Sequence, residues 1–178
     1  MRRVLLAVVA LSATLAAGCD DAGASPAAQA STAPAAAAGG ACQLLDFGMV
    51  NTKLGLNLSI AAGASMDNTF SCVLQSAGGS YPDLVLSVST TGIGPDVFGS
   101  DVQPKDAQTV EGLGLVGYQM QTPAAEKAGP GVEVGWLAGN KRIIKLSLRL
   151  APGNPDDKAA EAMPKMIELA KLIDLSSL

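Results

Sequence analysis

The sequence predicts an α+β fold: an antiparallel sheet of about five strands with an N-terminal and a C-terminal helix packed on one face. Three observations lead there. Apolar residues alternate with polar ones in several short runs, as in strands buried on one side. A helical apolar period of 3.6 appears near each end of the region that starts at Cys42. Turn signals and loops separate the runs, without the long crossovers that parallel strands need. A tethered β-sandwich is the second reading of this pattern.

The first helix is expected after Asp46, a fitting N-cap. Phe47, Val50 and Leu54 recur at i, i+3 and i+7, and Gly55 is the stop. After a loop, Phe70, Cys72 and Leu74 alternate with Thr69 and Ser71. Gly78-Gly79-Ser80 and Pro82 turn the chain into a second strand with Leu84, Leu86 and Val88 on one face. Residues 92–107, rich in Gly, Pro and Asp, read as a loop, and residues 110–121 as a glycine-containing strand. Val132, Val134 and Trp136 then alternate up to Gly139-Asn140. Ile144, Leu146, Leu148 and Leu150 return as the clearest hairpin of the chain. Asn154-Pro155 reads as the N-cap and first residue of the last helix, with Asp156 and Asp157 at its positive end. Met163, Met166, Ile167, Ala170 and Ile173 form its apolar stripe, and Pro164 predicts a kink or a restart.

Upstream of this domain, Arg2 and Arg3 introduce an apolar run over residues 4–15, and Leu15-Ala16-Ala17-Gly18 leads to Cys19. The layout is that of a secretory signal peptide. Its end looks like the lipobox of a bacterial lipoprotein, where the cysteine thiol takes a diacylglyceryl group and becomes the new N-terminus. The apolar run is too short for a transmembrane helix, which needs roughly 20 residues. An unmodified Cys19 would leave a free thiol at an exposed terminus, which secreted proteins normally avoid. Residues 20–41 are almost entirely Ala, Ser, Thr, Pro, Gly and Gln, with Pro26 and Pro34 against helix, and carry nothing large to bury. The expected organisation is a signal peptide over 1–18, lipidated Cys19 with a disordered tether over 19–41, and one α+β domain over 42–178. The expected location is the extracytoplasmic face of the cell membrane.

Lipidation uses one of the three cysteines. Cys42 and Cys72 remain as an even pair in an oxidising compartment, which reads as a disulfide, with two buried free thiols as the alternative. The net charge of −4, or −6 without Arg2 and Arg3, argues against nucleic acid as a partner and against polybasic attraction to anionic lipid. Membrane contact is therefore expected through Cys19 alone.

From Cys42 onward the chain resembles a family of actinobacterial surface lipoproteins built around a domain of unknown function. The residues that carry the likeness are Cys42-Gln43-Leu44-Leu45, Leu54-Gly55, Cys72 in the next strand, Gly112-Leu113-Gly114, the hairpin, and the Ala-rich helix after Asn154. Where this chain has Val73-Leu74, family members often have an aromatic residue just after the second cysteine. The resemblance implies a location and an architecture, and it brings no catalytic residues.

Several motifs imitate chemistry. Residues 112–117 match G-x-G-x-x-G, but a dinucleotide site needs a helix after the glycines, and Tyr118-Gln119-Met120-Gln121 is strand-like. Asp46-Phe47-Gly48 spells the kinase magnesium tripeptide without the other kinase motifs, and reads better as a helix start. Histidine is absent, which removes Ser-His-Asp and Cys-His catalysis and most zinc sites. Asp96, Asp101 and Asp106 lack the alternate spacing of a calcium loop. Lys141, Arg142, Lys145 and Arg149 are the one basic cluster, with Lys145 and Arg149 on a solvent face or touching anionic envelope polymer. Trp136 and Tyr118 are core residues by default, or the lining of an apolar pocket.

The sequence calls for no catalytic residue, metal or cofactor. The expectation is a non-enzymatic binding or interaction module of the cell envelope. Its ligand would be an apolar small molecule between sheet and helices, or an envelope protein. A carboxylate-based hydrolase and a structural accessory subunit are the alternatives.

Overall fold

The computed structural model of the chain describes residues 35–175, so the expected signal peptide, Cys19 and most of the tether lie outside the described residues. Seven strands pair antiparallel in one sheet: β1 (Ile60–Met66), β2 (Thr69–Gln75), β3 (Asp83–Thr90), β4 (Gln108–Val110), β5 (Val116–Thr122), β6 (Gly131–Ala138) and β7 (Arg142–Arg149). Their spatial order is β1-β2-β3-β7-β6-β5-β4. Two meanders thus run inward from opposite edges and meet where β3 pairs with β7. Three α-helices accompany the sheet: α1 (Phe47–Leu54), α2 (Pro95–Val97) and α3 (Asp156–Leu172).

This corrects the expected five-stranded sheet with an N-terminal and a C-terminal helix on one face. The sheet has seven strands, and only one of its three helices is C-terminal. A single sheet also replaces the sandwich reading. The two extra strands are β1 and β4. The seven residues of β1 are Ile60-Ala-Ala-Gly-Ala-Ser-Met66, exposed along nearly their whole length, so no apolar alternation marks them. β4 has three residues and is followed by a turn, which splits the expected strand over 110–121 into β4 and β5.

The helix-bearing face carries the main core. Cys72, Leu74, Leu84, Leu86, Val88, Ile144, Leu146, Leu148, Val132, Val134 and Trp136 are buried there, beneath α1 and α3. Asp46 caps α1, its Oδ1 accepting from the Met49 N–H at 2.9 Å, and Gly55 ends the helix at φ 69°. Asp46-Phe47-Gly48 is therefore the start of a helix. The loop that follows is held by Asn51, whose amide donates to Leu58 O and accepts from Leu58 N–H, both at 2.8 Å. α3 runs unbroken through Pro164, so the helix does not restart there. Both Pro164 and Ala160, whose carbonyl loses its helical partner to the proline, are solvent-exposed, so water can satisfy that carbonyl. Asn154 does not cap this helix. Its side chain donates back to Ala151 O, and Pro155 occupies the cap position.

Packed residues begin before Cys42. Ala35–Ala38 and Gly40–Leu44 form two 3₁₀ turns across the front of β1 and β2, with Ala35, Ala41 and Cys42 buried. The second turn is bonded to the sheet through a Cys42–Cys72 disulfide.

The opposite face is covered at one end only. Connecting β3 to β4 means crossing β7, β6 and β5, about 19 Å at the usual strand spacing. The segment 91–107 makes this crossing. It folds into α2 and a π-helical turn, Phe98–Val102, where a loop was expected. Phe98 buries itself against Tyr118 and Leu137 as a second, smaller core, so helical elements pack on both faces.

Candidate functional site

The uncovered end of the second face holds a cleft formed by β3, β7 and β6. The register puts Asp83 directly opposite Arg149, and Val85 opposite Ser147, across the β3–β7 pair. It also puts Glu133 opposite Ser147 across β6–β7. Residues two apart on a strand share a face, so Asp83, Arg149, Ser147 and Glu133 all project to the same side. With Tyr81 and Thr122 they line a cleft of about 370 Å³.

Each polar group in the cleft has a distinct setting. Arg149 Nη1 donates to the carbonyls of Pro123 and Gly129, at 3.0 and 3.4 Å, which ties the guanidinium to the β5–β6 connection. One oxygen of Asp83 lacks such support: Oδ1 is buried and has no hydrogen-bond partner. Burial raises the Asp83 carboxyl above the usual aspartate range, and the Arg149 charge and backbone N–H groups offset only part of that rise. Glu133 accepts from the Tyr118 hydroxyl at 2.6 Å. Burial, first, and the bond to Glu133, second, hold the Tyr118 phenol far above the ordinary tyrosine range. The cleft therefore combines a fixed cation, a carboxyl raised by burial, a positioned carboxylate and the three hydroxyls of Tyr81, Thr122 and Ser147. Such a set suits hydrogen-bonding ligands.

Two further clefts among the described residues are smaller. One, of about 270 Å³, lies between β4, β5 and α3 and is lined by Asp106, Gln108, Gln119 and Gln121 with Met120 and Met163. The other, of about 220 Å³, is an apolar groove between α1 and α3, lined by Leu54, Leu56, Leu148 and Leu150. Ligand pockets usually span roughly 300–1,000 Å³, a range that the Asp83 cleft enters and these two do not.

The residues singled out in the sequence are dispersed. Cys19 lies outside the described residues. Cys42 and Cys72 are bonded to each other and fully buried. Trp136 belongs to the main core and Tyr118 to the second, on opposite faces of the sheet. The basic cluster divides as well. Arg142 faces the helices and donates to Leu175 O, whereas Lys145 and Arg149 share the other face. Asp96, Asp101 and Asp106 are exposed, and no group of three His, Cys, Asp or Glu gathers as a metal site among the described residues. Gly112 and Gly114 have positive φ and make the β4–β5 turn, and the chain after them enters β5 where a dinucleotide site needs a helix.

Asp83 and Glu133 were not singled out. Each is a polar residue at a strand position alternating with buried ones, the ordinary signature of a solvated face. Only the β3–β7–β6 register brings them together, and that pairing joins strands far apart in sequence.

No protein-family model matches the chain, and no curated protein matches it. Among solved structures it is similar to a crystal structure from Bacteroides thetaiotaomicron VPI-5482, at 14% identity and a TM-score of 0.33. The match covers 60% of this chain and 41% of that one. Among the described residues no helix is long and apolar enough to cross a membrane.

Proposed function

We propose that the chain is an extracytoplasmic lipoprotein, anchored through a diacylglyceryl group on Cys19, whose domain is a non-enzymatic binding module of the cell envelope. The ligand is a small hydrogen-bonding molecule taken into the Asp83 cleft. The observation that carries this reading is the cleft itself. At about 370 Å³ it is larger than the other two clefts described, and it gathers Asp83, Glu133, Ser147 and Arg149 at the end of this face that α2 and the Phe98 turn leave uncovered. Its polar lining favours such a ligand over the apolar one expected between sheet and helices, where the groove is smaller. The anchor rests on the Leu15–Cys19 sequence and on the resemblance to actinobacterial surface lipoproteins.

Native mass spectrometry of the membrane-extracted protein tests both parts. The expected spectrum carries the mass of a diacylglyceryl group on Cys19 and a second, dissociable mass. Ser147→Trp, which fills the cleft, is expected to remove the second mass and keep the first. Cys19→Ala is expected to release the protein from the membrane. A Cys19→Ala protein that stays fully membrane-associated defeats the anchor, and a cargo mass indifferent to Ser147→Trp defeats the cleft.

One observation favours the hydrolase as a second reading. Two acids line the same cleft, one with a raised carboxyl and one held by Tyr118. By strand spacing and register their Cα atoms are roughly 12 Å apart. Release of reducing sugar from envelope glycan, lost in both Asp83→Asn and Glu133→Gln, would establish that reading in place of simple binding.

A further inference from the structure

The two edges of the sheet are built differently. β4 is a three-residue edge flanked by Lys105, Asp106 and Glu111, the kind of short, charged edge that resists pairing. β1 is a seven-residue edge with no charge and no proline. Gly40 lies against Ala64 N, Ala64 O and Ser71 O together, and Ser71 Oγ donates to Ala64 O, so Ala64 and Ser71 are a hydrogen-bonded pair of the β1–β2 ladder. Hydrogen-bonded pairs alternate along an antiparallel ladder. Ile60, Ala62 and Met66 therefore also bond inward to β2. Ala61, Gly63 and Ser65 turn their N–H and C=O groups outward, and among the described residues no backbone hydrogen bond meets them.

We infer that β1 is a self-association edge: two copies of the chain pair β1 with β1, antiparallel about Gly63, into one continuous sheet across a twofold axis. In this register Gly63 meets Gly63 of the partner subunit, and Ala61 meets Ser65 of the partner subunit. The outward groups of both strands are thereby matched as hydrogen-bonded pairs. Ile60 and Met66, 48% and 75% exposed at the two ends of β1, lie on one face of the sheet. The same register sets Ile60 beside Met66 of the partner subunit, once at each end of the joint. Ala62 stands opposite Ala64 of the partner subunit between them, so no bulky or like-charged side chain opposes the contact. A second copy also closes the structure, because each copy spends its only long edge and only the short β4 edges are left.

The twofold axis is perpendicular to the sheet, so both copies present the same face to the same side. The carbonyls of Ala38 and Gly39 lie over Gly63 on that face. Both copies therefore present the turn Ala35–Ala38 on one side of the joined sheet, as two tethers into one membrane would require. That last point alone rests on the lipid anchor.

The test uses the full-length protein extracted in detergent, with its mass followed by light scattering over a dilution series. The expected result is a dimer that dissociates on dilution, and an Ala64→Lys protein that is monomeric throughout with an unchanged circular-dichroism spectrum. A wild-type monomer at every concentration overturns the inference, as does an Ala64→Lys protein with the wild-type mass, which would mean that lipid or detergent alone holds two chains together. Cross-linking tests the register independently. Ala62→Cys and Ala64→Cys proteins, mixed under mild oxidation, are expected to form the mixed disulfide about tenfold in preference to either homodimer, because facing residues at non-hydrogen-bonded sites are closest. Equal yields of all three products, or no cross-linked product, overturn it.

Discussion

Gly135 lies directly across the β5–β6 pair from Tyr118, and the phenol ring fills the space that a side chain at 135 would occupy. A Cβ built on Gly135 overlaps the ring at Cζ, Cε1 and Oη. The glycine is thus what lets Tyr118 lie flat along the sheet, tilted against Phe98 at 6.0 Å and with its hydroxyl on Glu133. Gly135→Ala is expected to destabilise the fold by about 1–3 kcal/mol, the usual cost of overpacking. In a Tyr118→Ala background the same change should become neutral or stabilising, since alanine is otherwise the better strand residue. Chemical denaturation of the four proteins of this cycle measures the coupling. A Gly135→Ala cost that persists without the ring would show that the backbone, and not Tyr118, demands glycine.

The hydroxyl of Tyr118 makes a separate contribution. Tyr118→Phe keeps the ring and leaves a half-buried Glu133 oxygen unpaired, at about 1–2 kcal/mol. The phenol is held above the ordinary tyrosine range in the folded chain. A raised folded pKa means that its share of stability is complete below about pH 10 and declines above it, as the unfolded chain ionises first. Denaturation midpoints across that alkaline window should fall faster for the native sequence than for Tyr118→Phe.

Asp83 follows the same sign at acidic pH. Its folded carboxyl is raised by burial, so its share of stability is complete below the unfolded aspartate range, near pH 3.9, and is lost as pH rises through the folded value. Ionising the group is therefore a burden on the fold, with one oxygen buried and unbonded. Asp83→Asn should therefore raise the melting temperature by about 1–2 °C at neutral pH, a small effect because the residue is only half-buried. The gain should shrink toward zero near pH 3. Thermal melts of both proteins over that range check the sign, and a gain that grows on acidification contradicts it.

The legibility of these features follows from which faces are buried. β2, β3, β7 and the start of β6 announce themselves because one face packs under the helices while the other is largely polar, as in Ile144-Lys145-Leu146-Ser147-Leu148-Arg149. α1 is equally plain, because Asp46 and Gly55 supply both of its ends locally. β1 has almost no buried face, and what it contributes, Gly63 beneath the Ala38 and Gly39 carbonyls, needs the absence of a side chain. No periodicity can record that. The second core was hidden for a different reason. Phe98, Tyr118 and Leu137 come from three separate segments, and β6 is buried on both faces there, which erases its alternation. In the cleft, Arg149 was visible as a charge on an outward face, but its neighbours Asp83 and Glu133 depend on a strand order that reverses halfway through the sheet.

The Cys42–Cys72 bond bears on the same architecture, because the chain it encloses contains α1 and β1 together with half of β2. With a sequence separation of 30, the chain-entropy model assigns the closed loop about 3.5 kcal/mol. That is a large fraction of the roughly 5–15 kcal/mol that keeps a domain folded. A Cys42→Ser, Cys72→Ser protein should lose about that much, with a lower urea midpoint and a steeper dependence on urea as its unfolded state expands. Both sulfurs are wholly shielded from solvent, each residue being 0% exposed. A reductant should therefore reach them only after the N-terminal turn lifts from β2. Reduction of the native protein, followed by alkylation and mass spectrometry, should accelerate with urea in step with opening of that turn. A reduction rate that is fast and independent of urea would mean that the turn is already open in the native state, and that the bond does not hold it to the sheet.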